Sequence, residues 1–92
     1  MLFRERKIDE KNLIGDSSGV RFCGISEGDA LLIINDNGRM RLWSMLLNGK
    51  PYYFSNGTEM RYVGFNRGQA TLGFEAPQNV LVLREEVENF ME

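Results

Sequence analysis

Two stretches of this chain, VRFCGISEGDALLI at residues 20 to 33 and MRYVGFNRGQATLG at residues 60 to 73, lie forty positions apart. Arg21/Arg61, Gly24/Gly64, Gly28/Gly68, Ala30/Ala70 and Leu32/Leu72 coincide without a gap. Both stretches read as strand, glycine turn, strand, and the shared glycine spacing predicts two equivalent hairpins. Gly24 and Gly64 sit mid-strand, where glycine marks a bulge or a close backbone approach. Gly28 and Gly68 fall in the turns. In a chain of 92 residues there is room for one compact domain, 1–92, so two such hairpins predict a pseudo-symmetric pair of half-domains.

The remaining segments read mostly as short strands between turns. MLFRERK alternates, with Leu2, Arg4 and Arg6 on one side and Phe3, Glu5 and Lys7 on the other. DEKN and GDSSG are polar breaks around Leu13 and Ile14. DNG at 36 to 38 carries hairpin-turn chemistry. RMRLWSMLL is a longer strand, NGK a turn, and PYYFS and NVLVLR suit a pleated surface. Only the tail, REEVENFME, reads as helix: it lacks Gly and Pro, and Val87, Phe90 and Met91 form one apolar face. The fold class is therefore mainly β with one short C-terminal helix.

Composition excludes several functions. A net charge of −2 argues against holding nucleic acid by bulk electrostatics, though not against a local basic patch. The signs are unevenly placed: Arg4, Arg6 and Lys7 open the chain, whereas Glu85, Glu86, Glu88 and Glu92 close it. The chain has no histidine, so the usual base, triad member and metal ligand are missing. No phosphate loop or metal-ligand spacing occurs. An enzyme is not expected, and neither is a cofactor or a metal. The one cysteine, Cys23, fits a reducing compartment and reads as a small buried hydrophobe. The charged start has no apolar signal segment and no run is long enough to span a bilayer, so a cytoplasmic protein without a membrane partner is expected.

The two ends of the chain carry more specific patterns. MLFRERKIDEKNLIGD at residues 1 to 16, and VGFNRGQATLGFEAPQNVLVLREEVENFM at residues 63 to 91, place IGD, GFEAP and VLREEV in order. In this they resemble the carbon storage regulator family of bacterial translational regulators. The resemblance covers about half the chain. Residues 20 to 35 also match that family's second and third strands, so the chain divides into pseudo-repeats of about 1–44 and 45–92. The second opens with MLLNGKPYYF, and the region from Arg39 to Leu47 serves as the end of one repeat and the start of the next. Family members are intertwined homodimers whose first strand lies beside the partner's last strand. The resemblance thus implies an intertwined, barrel-like β domain, here a single-chain pseudo-dimer. A monomer is expected in preference to a homodimer.

Each such edge in the family binds a GGA triplet in an RNA hairpin loop. The resemblance implies that strand 1 to 7 lies beside strand 80 to 84. Arg6, Lys7 and Arg84 then meet phosphate and base, Val82 and Leu83 serve as wall and backbone, and Ala76 and Pro77 shape the pocket, with Arg4 a further RNA-binding candidate on the same strand. The opposite edge carries Ser44, Leu46 and Leu47 in place of cations, so one RNA edge per chain is expected. Departures fall at Arg4, Glu5 and Leu83. Read without the resemblance, Arg4, Arg6 and Lys7 are solvated edge protection and Arg84 pairs with Glu88 along a helix. Trp43, Tyr52, Tyr53 and Phe54 read as core or interface more readily than as a stacking platform. The functional expectation is a post-transcriptional regulator binding hairpin-loop RNA. The alternative is a relative that acts as a protein-interaction module or antagonist without RNA.

Overall fold

The computed structural model describes residues 1–84. It is mainly β, with strands β1 (Leu2–Arg6), β2 (Lys11–Ile14), β3 (Ser18–Ser26), β4 (Asp29–Asp36), β5 (Arg39–Met45), β6 (Tyr52–Tyr53), β7 (Glu59–Asn66), β8 (Gln69–Glu75) and β9 (Val82–Arg84). They form a four-stranded sheet, β1-β8-β7-β6, and a five-stranded sheet, β5-β4-β3-β2-β9. Every pairing is antiparallel. Among the described residues β1, β6, β5 and β9 stand at the ends of the two sheets, which share one core. The expected helix face of Val87, Phe90 and Met91 lies outside the described residues, and Arg84, expected to start that helix, ends β9.

The two hairpins of the repeat are equivalent in detail. β3 pairs with β4 through a register shift between Phe22 and Gly24, and β7 pairs with β8 through one between Tyr62 and Gly64. Cys23 and Val63 are therefore the extra residues of two matching bulges. Glu27–Gly28 and Arg67–Gly68 turn both hairpins with positive φ at both positions. That is the backbone of the tight turn that follows strand twist, and glycine takes its second position without strain. The repeated Ala30/Ala70 and Leu32/Leu72 are all fully buried. They belong to one hydrophobic cluster that draws on both sheets, with Phe22, Ile34, Met60 and Phe74 among its members.

The halves exchange strands. β1 completes the sheet of the second hairpin, while β5 and β9 flank the sheet of the first. Arg6 pairs with Ala70 and Met45 with Ala30, so β5 is the counterpart of β1 along its whole length. Asn12 pairs with Val20 and Tyr52 with Met60, which makes β6 the counterpart of β2. The division between repeats thus falls at the Asn37–Gly38 turn, not near residue 44. β5 opens the second repeat and has no second role. Among the described residues, nothing stands beside β6 as β9 stands beside β2. A second correction concerns β1 and β9: they do not pair with each other but lie in different sheets.

Asp36 occupies part of the vacant place. In the first repeat the Gly15 N–H donates to the Leu81 carbonyl at 2.7 Å. At the equivalent Ser55 the N–H donates instead to the Asp36 carboxylate (3.0 and 3.1 Å), and Ser55 Oγ donates at 2.7 Å. Ser18 Oγ (3.5 Å) and the Tyr52 hydroxyl (3.4 Å) donate to it as well. Partial burial pushes this carboxyl up, but the hydrogen bonds from Ser55, Tyr52 and Ser18 outweigh it and hold the group below its ordinary 3.8. The counterpart of Asp36 is Ala76, and the counterpart of Ser18 is Thr58, whose buried Oγ1 has no hydrogen-bond partner.

Two stability predictions follow from that asymmetry. A carboxyl with a lowered folded pKa stabilises the fold above its unfolded pKa, and the contribution disappears as pH falls through the folded value. Asp36→Asn should lower the melting temperature by roughly 5–10 °C at neutral pH. Thermal melts across an acid series should show the gap between wild type and variant closing below pH 3.8. Thr58→Val keeps the shape and removes an unsatisfied hydroxyl, so denaturant melts should show unchanged stability or a gain of up to about 1 kcal/mol.

Candidate nucleic-acid interface

β1 and β9 come together at one corner although they do not pair. Arg6 is the last residue of β1, and its side chain is 3% exposed. Strand alternation sends it, like Arg4, to the core-facing side, where Arg4 stands opposite Leu72 and Arg6 opposite Ala70. Arg6 Nε donates to the Glu5 carbonyl at 2.7 Å, Nη1 donates to the Lys11 carbonyl at 3.2 Å, and Nη1 lies 3.9 Å from Glu10 Oε1. The expectation of an exposed Arg6 is thereby corrected: the turn between β1 and β2 folds back over the guanidinium. That turn is pinned by the Lys7 N–H donating to Glu10 Oε1 at 2.7 Å and the Glu10 N–H donating to the Lys7 carbonyl at 3.0 Å. Lys7 itself is exposed.

Arg84 reaches the same corner from the other sheet. It stands opposite Asn12 in the β2–β9 ladder, one residue from the carbonyl that Arg6 engages. Arg84 is exposed. Asn12 is fully buried, donates through Nδ2 to the Leu83 carbonyl at 3.4 Å, and leaves Oδ1 without a partner. Arg4 Nε is likewise buried without a partner. Lys11 adds a cation on β2 beside Arg21. Asn12, by its side chain, and Lys11, by its backbone carbonyl, belong to the corner although the sequence presents them as a polar break. The signal for them was faint: Lys11 and Leu13 alternate with Asn12 and Ile14 over only four residues.

The other expected site residues are dispersed. Val82 stands opposite Ile14 and is 9% exposed, so its side chain is core and not a wall for a ligand. Leu83 is exposed on the outer face of the five-stranded sheet with Leu13, opposite to Arg84. Ala76 and Pro77 follow β8 at the Leu2 end of β1. A Cβ on Gly57 would lie 3.1 Å from Pro77 Cγ, so Pro77 packs on the turn at 56 to 58. They are separated from Arg6 by the length of β1, about 13 Å. By alternation Arg4, Arg6 and Arg84 take the inner faces of their strands at this corner, whereas the Lys11 side chain takes the outer face of the five-stranded sheet with Leu13 and Arg21, and Ala76 and Pro77 lie at the far end of β1.

The matching positions of the second repeat are mostly apolar, although Arg41 and Lys50 lie close by. Register places Trp43 where Arg4 stands, Met45 where Arg6 stands and Leu46 where Lys7 stands. Pro51 takes the place of Lys11. Trp43 meets Tyr52 edge-on at 5.2 Å, and Tyr52 meets Phe54 edge-on at 5.0 Å. Tyr52 and Phe54 are core, whereas Trp43 and Tyr53 are exposed. No known protein-family profile, curated protein or solved structure matches the chain. Among the described residues no helix is long and apolar enough to cross a membrane, and no cluster of His, Cys, Asp and Glu is placed to hold a metal ion.

The Arg6/Met45 equivalence predicts that the guanidinium is dispensable for folding. Both side chains are nearly fully buried at matching register, and a hydrophobe of similar volume replaces a buried ion pair with little loss. Arg6→Met should stay within about 1 kcal/mol of wild type in denaturant melts.

Proposed function

We propose that this protein is an RNA-binding post-transcriptional regulator of the bacterial cytoplasm. It takes GGA-containing hairpin loops of messenger leaders or small RNAs along the β1 edge and thereby modulates translation. The observation that carries this reading is the contrast between matching positions: Arg4, Arg6 and Lys7 stand where the second repeat has Trp43, Met45 and Leu46, in a chain of net charge −2. Unstacked loop bases expose their hydrogen-bonding edges, and the outward N–H and C=O groups of an edge strand such as β1 suit them. Phosphates along that edge call for Lys7 and Arg84, with arginine giving two-pronged contacts. Arg6 acts from below, fixing the turn that carries Lys7. The resemblance of the chain's two ends to the carbon storage regulators supports the same assignment.

A second reading rests on one observation, the burial of Arg6 under Lys11 and Glu10. A cation so engaged is poorly placed for phosphate. On this reading the corner is structural, and the protein acts by binding another protein.

Fluorescence anisotropy with a labelled GGA hairpin separates the two. Wild type should bind at low salt, with affinity falling as salt rises. Arg84→Ala and Lys7→Ala should each weaken binding by roughly tenfold. Arg41→Ala, on the opposite edge, should leave binding unchanged, and a hairpin with GGA replaced by CCU should bind far more weakly. No binding at micromolar protein in low salt would leave the protein-interaction reading standing.

A further inference from the structure

β1 and β5 are equivalent edge strands with opposite defences. β1 ends in Arg4, Glu5 and Arg6 and runs into Lys7, and charge of this kind blunts an edge against pairing with other chains. The matching positions on and after β5 are Trp43, Ser44, Met45 and Leu46. All seven residues of β5 except Met45 are exposed. Met40 (67%) and Leu42 (71%) project on the outer face, while Trp43 (39%) lies on the other. A long edge exposed on both faces with apolar residues is a template for a further strand.

The backbone groups of that edge can be assigned. The two-residue turn at Asn37–Gly38 joins Asp36 to Arg39, and the pair that closes such a turn exchanges both hydrogen bonds. Alternation then directs the N–H and C=O groups of Arg39, Arg41, Trp43 and Met45 toward β4. Those of Met40, Leu42 and Ser44 point outward.

We propose that the occupant of this edge is β5 of a second copy, paired antiparallel about a two-fold axis through Leu42. In that register Leu42 meets Leu42, and Met40 exchanges hydrogen bonds with Ser44 of the second copy. Arg41 lies opposite Trp43 of the second copy, and Arg39 opposite Met45. The cations are thus held apart, and Arg41 faces an aromatic ring. Within one chain Arg41 already lies 5.9 Å from the Trp43 ring centroid, so the second contact extends an existing cation–π arrangement. Shifting the axis to Arg41 would oppose two guanidinium groups, which costs stability. The two five-stranded sheets become one ten-stranded sheet, with a β9 strand at each far end. The β1/β9 corners stay open, so the dimer and the RNA reading stand independently.

Light scattering over a concentration series tests this. Wild type at about 100 μM should approach twice the 10.6 kDa chain mass and fall toward the chain mass on dilution. Emission from Trp43, the single tryptophan, should shift to the red as the dimer dissociates. Leu42→Glu places two carboxylates directly opposite and should raise the dimer dissociation constant at least about tenfold. Phe3→Glu, at the equivalent position of β1, should leave the dimer intact, and thermal melts check that both variants fold. A wild-type chain that stays monomeric at about 100 μM overturns the proposal. So does a dimer that survives Leu42→Glu, or one that Phe3→Glu dissociates.

Discussion

The exchange of first strands between the halves is the constraint on which the rest of the structure depends. Neither hairpin is flanked on its β8 or β4 side by a strand of its own repeat. β8 is covered by β1 and β4 by β5, so each sheet reaches its full width only by borrowing. Two hairpins alone would expose Leu32, Ile34, Leu72 and Phe74 beyond what a chain this small tolerates. With the strands exchanged, all four enter one shared core. Folding of either half is therefore conditional on the other, and the core belongs to the pair. This also explains why the repeated residues are the ones they are: Ala30, Ala70, Leu32 and Leu72 lie where the two sheets face each other, and Gly28 and Gly68 lie where both hairpins reverse.

Around that conserved frame the two repeats have diverged in kind. One corner holds a guanidinium under a folded-back turn; its counterpart holds Met45 with the same burial. One repeat satisfies Gly15 with a backbone carbonyl from the segment leading into β9, while the other satisfies Ser55 with a carboxylate. Asp36 thus does locally what a missing strand does elsewhere. It also ties Ser18 of the first repeat to Ser55 of the second, adding a polar link to the apolar one.

Turn chemistry and periodicity made much of this legible. Glycine spacing located both hairpins and both bulges, and DNG marked the β4–β5 turn, because a positive φ is a local demand that local sequence must meet. The alternation in β1 placed Arg4 and Arg6 on one face. What local sequence did not carry was partner choice. β1 can lie against β8 or β9 with the same pattern, and only the three-dimensional closure selects β8. The burial of Arg6 likewise depends on a turn that folds back through Glu10, which looks like polar spacing when read along the chain. The boundary between repeats was misread because Arg39–Met45 shares little with Leu2–Arg6 except its place in the sheet. Which faces Val82 and Leu83 take is not legible in the sequence, because a three-residue strand gives too short a run to settle it.

A covalent link between two halves removes a restriction that symmetry imposes. In a two-fold homodimer every substitution appears at both equivalent edges, so an edge cannot keep its cations for one ligand and lose them for another. In a single chain, positions 6 and 45 vary independently, and so do 4 and 43. The shared core limits how far this divergence goes at its centre, where Ala30 and Leu32 match Ala70 and Leu72 and Phe22 matches Tyr62. The edge strands have diverged further: Arg4, Arg6 and Lys7 match Trp43, Met45 and Leu46, while β5 carries Arg39 and Arg41. The change from cations to apolar residues between the halves is therefore concentrated on β1 with its following turn and on β5. These are the two strands that each half lends to the other.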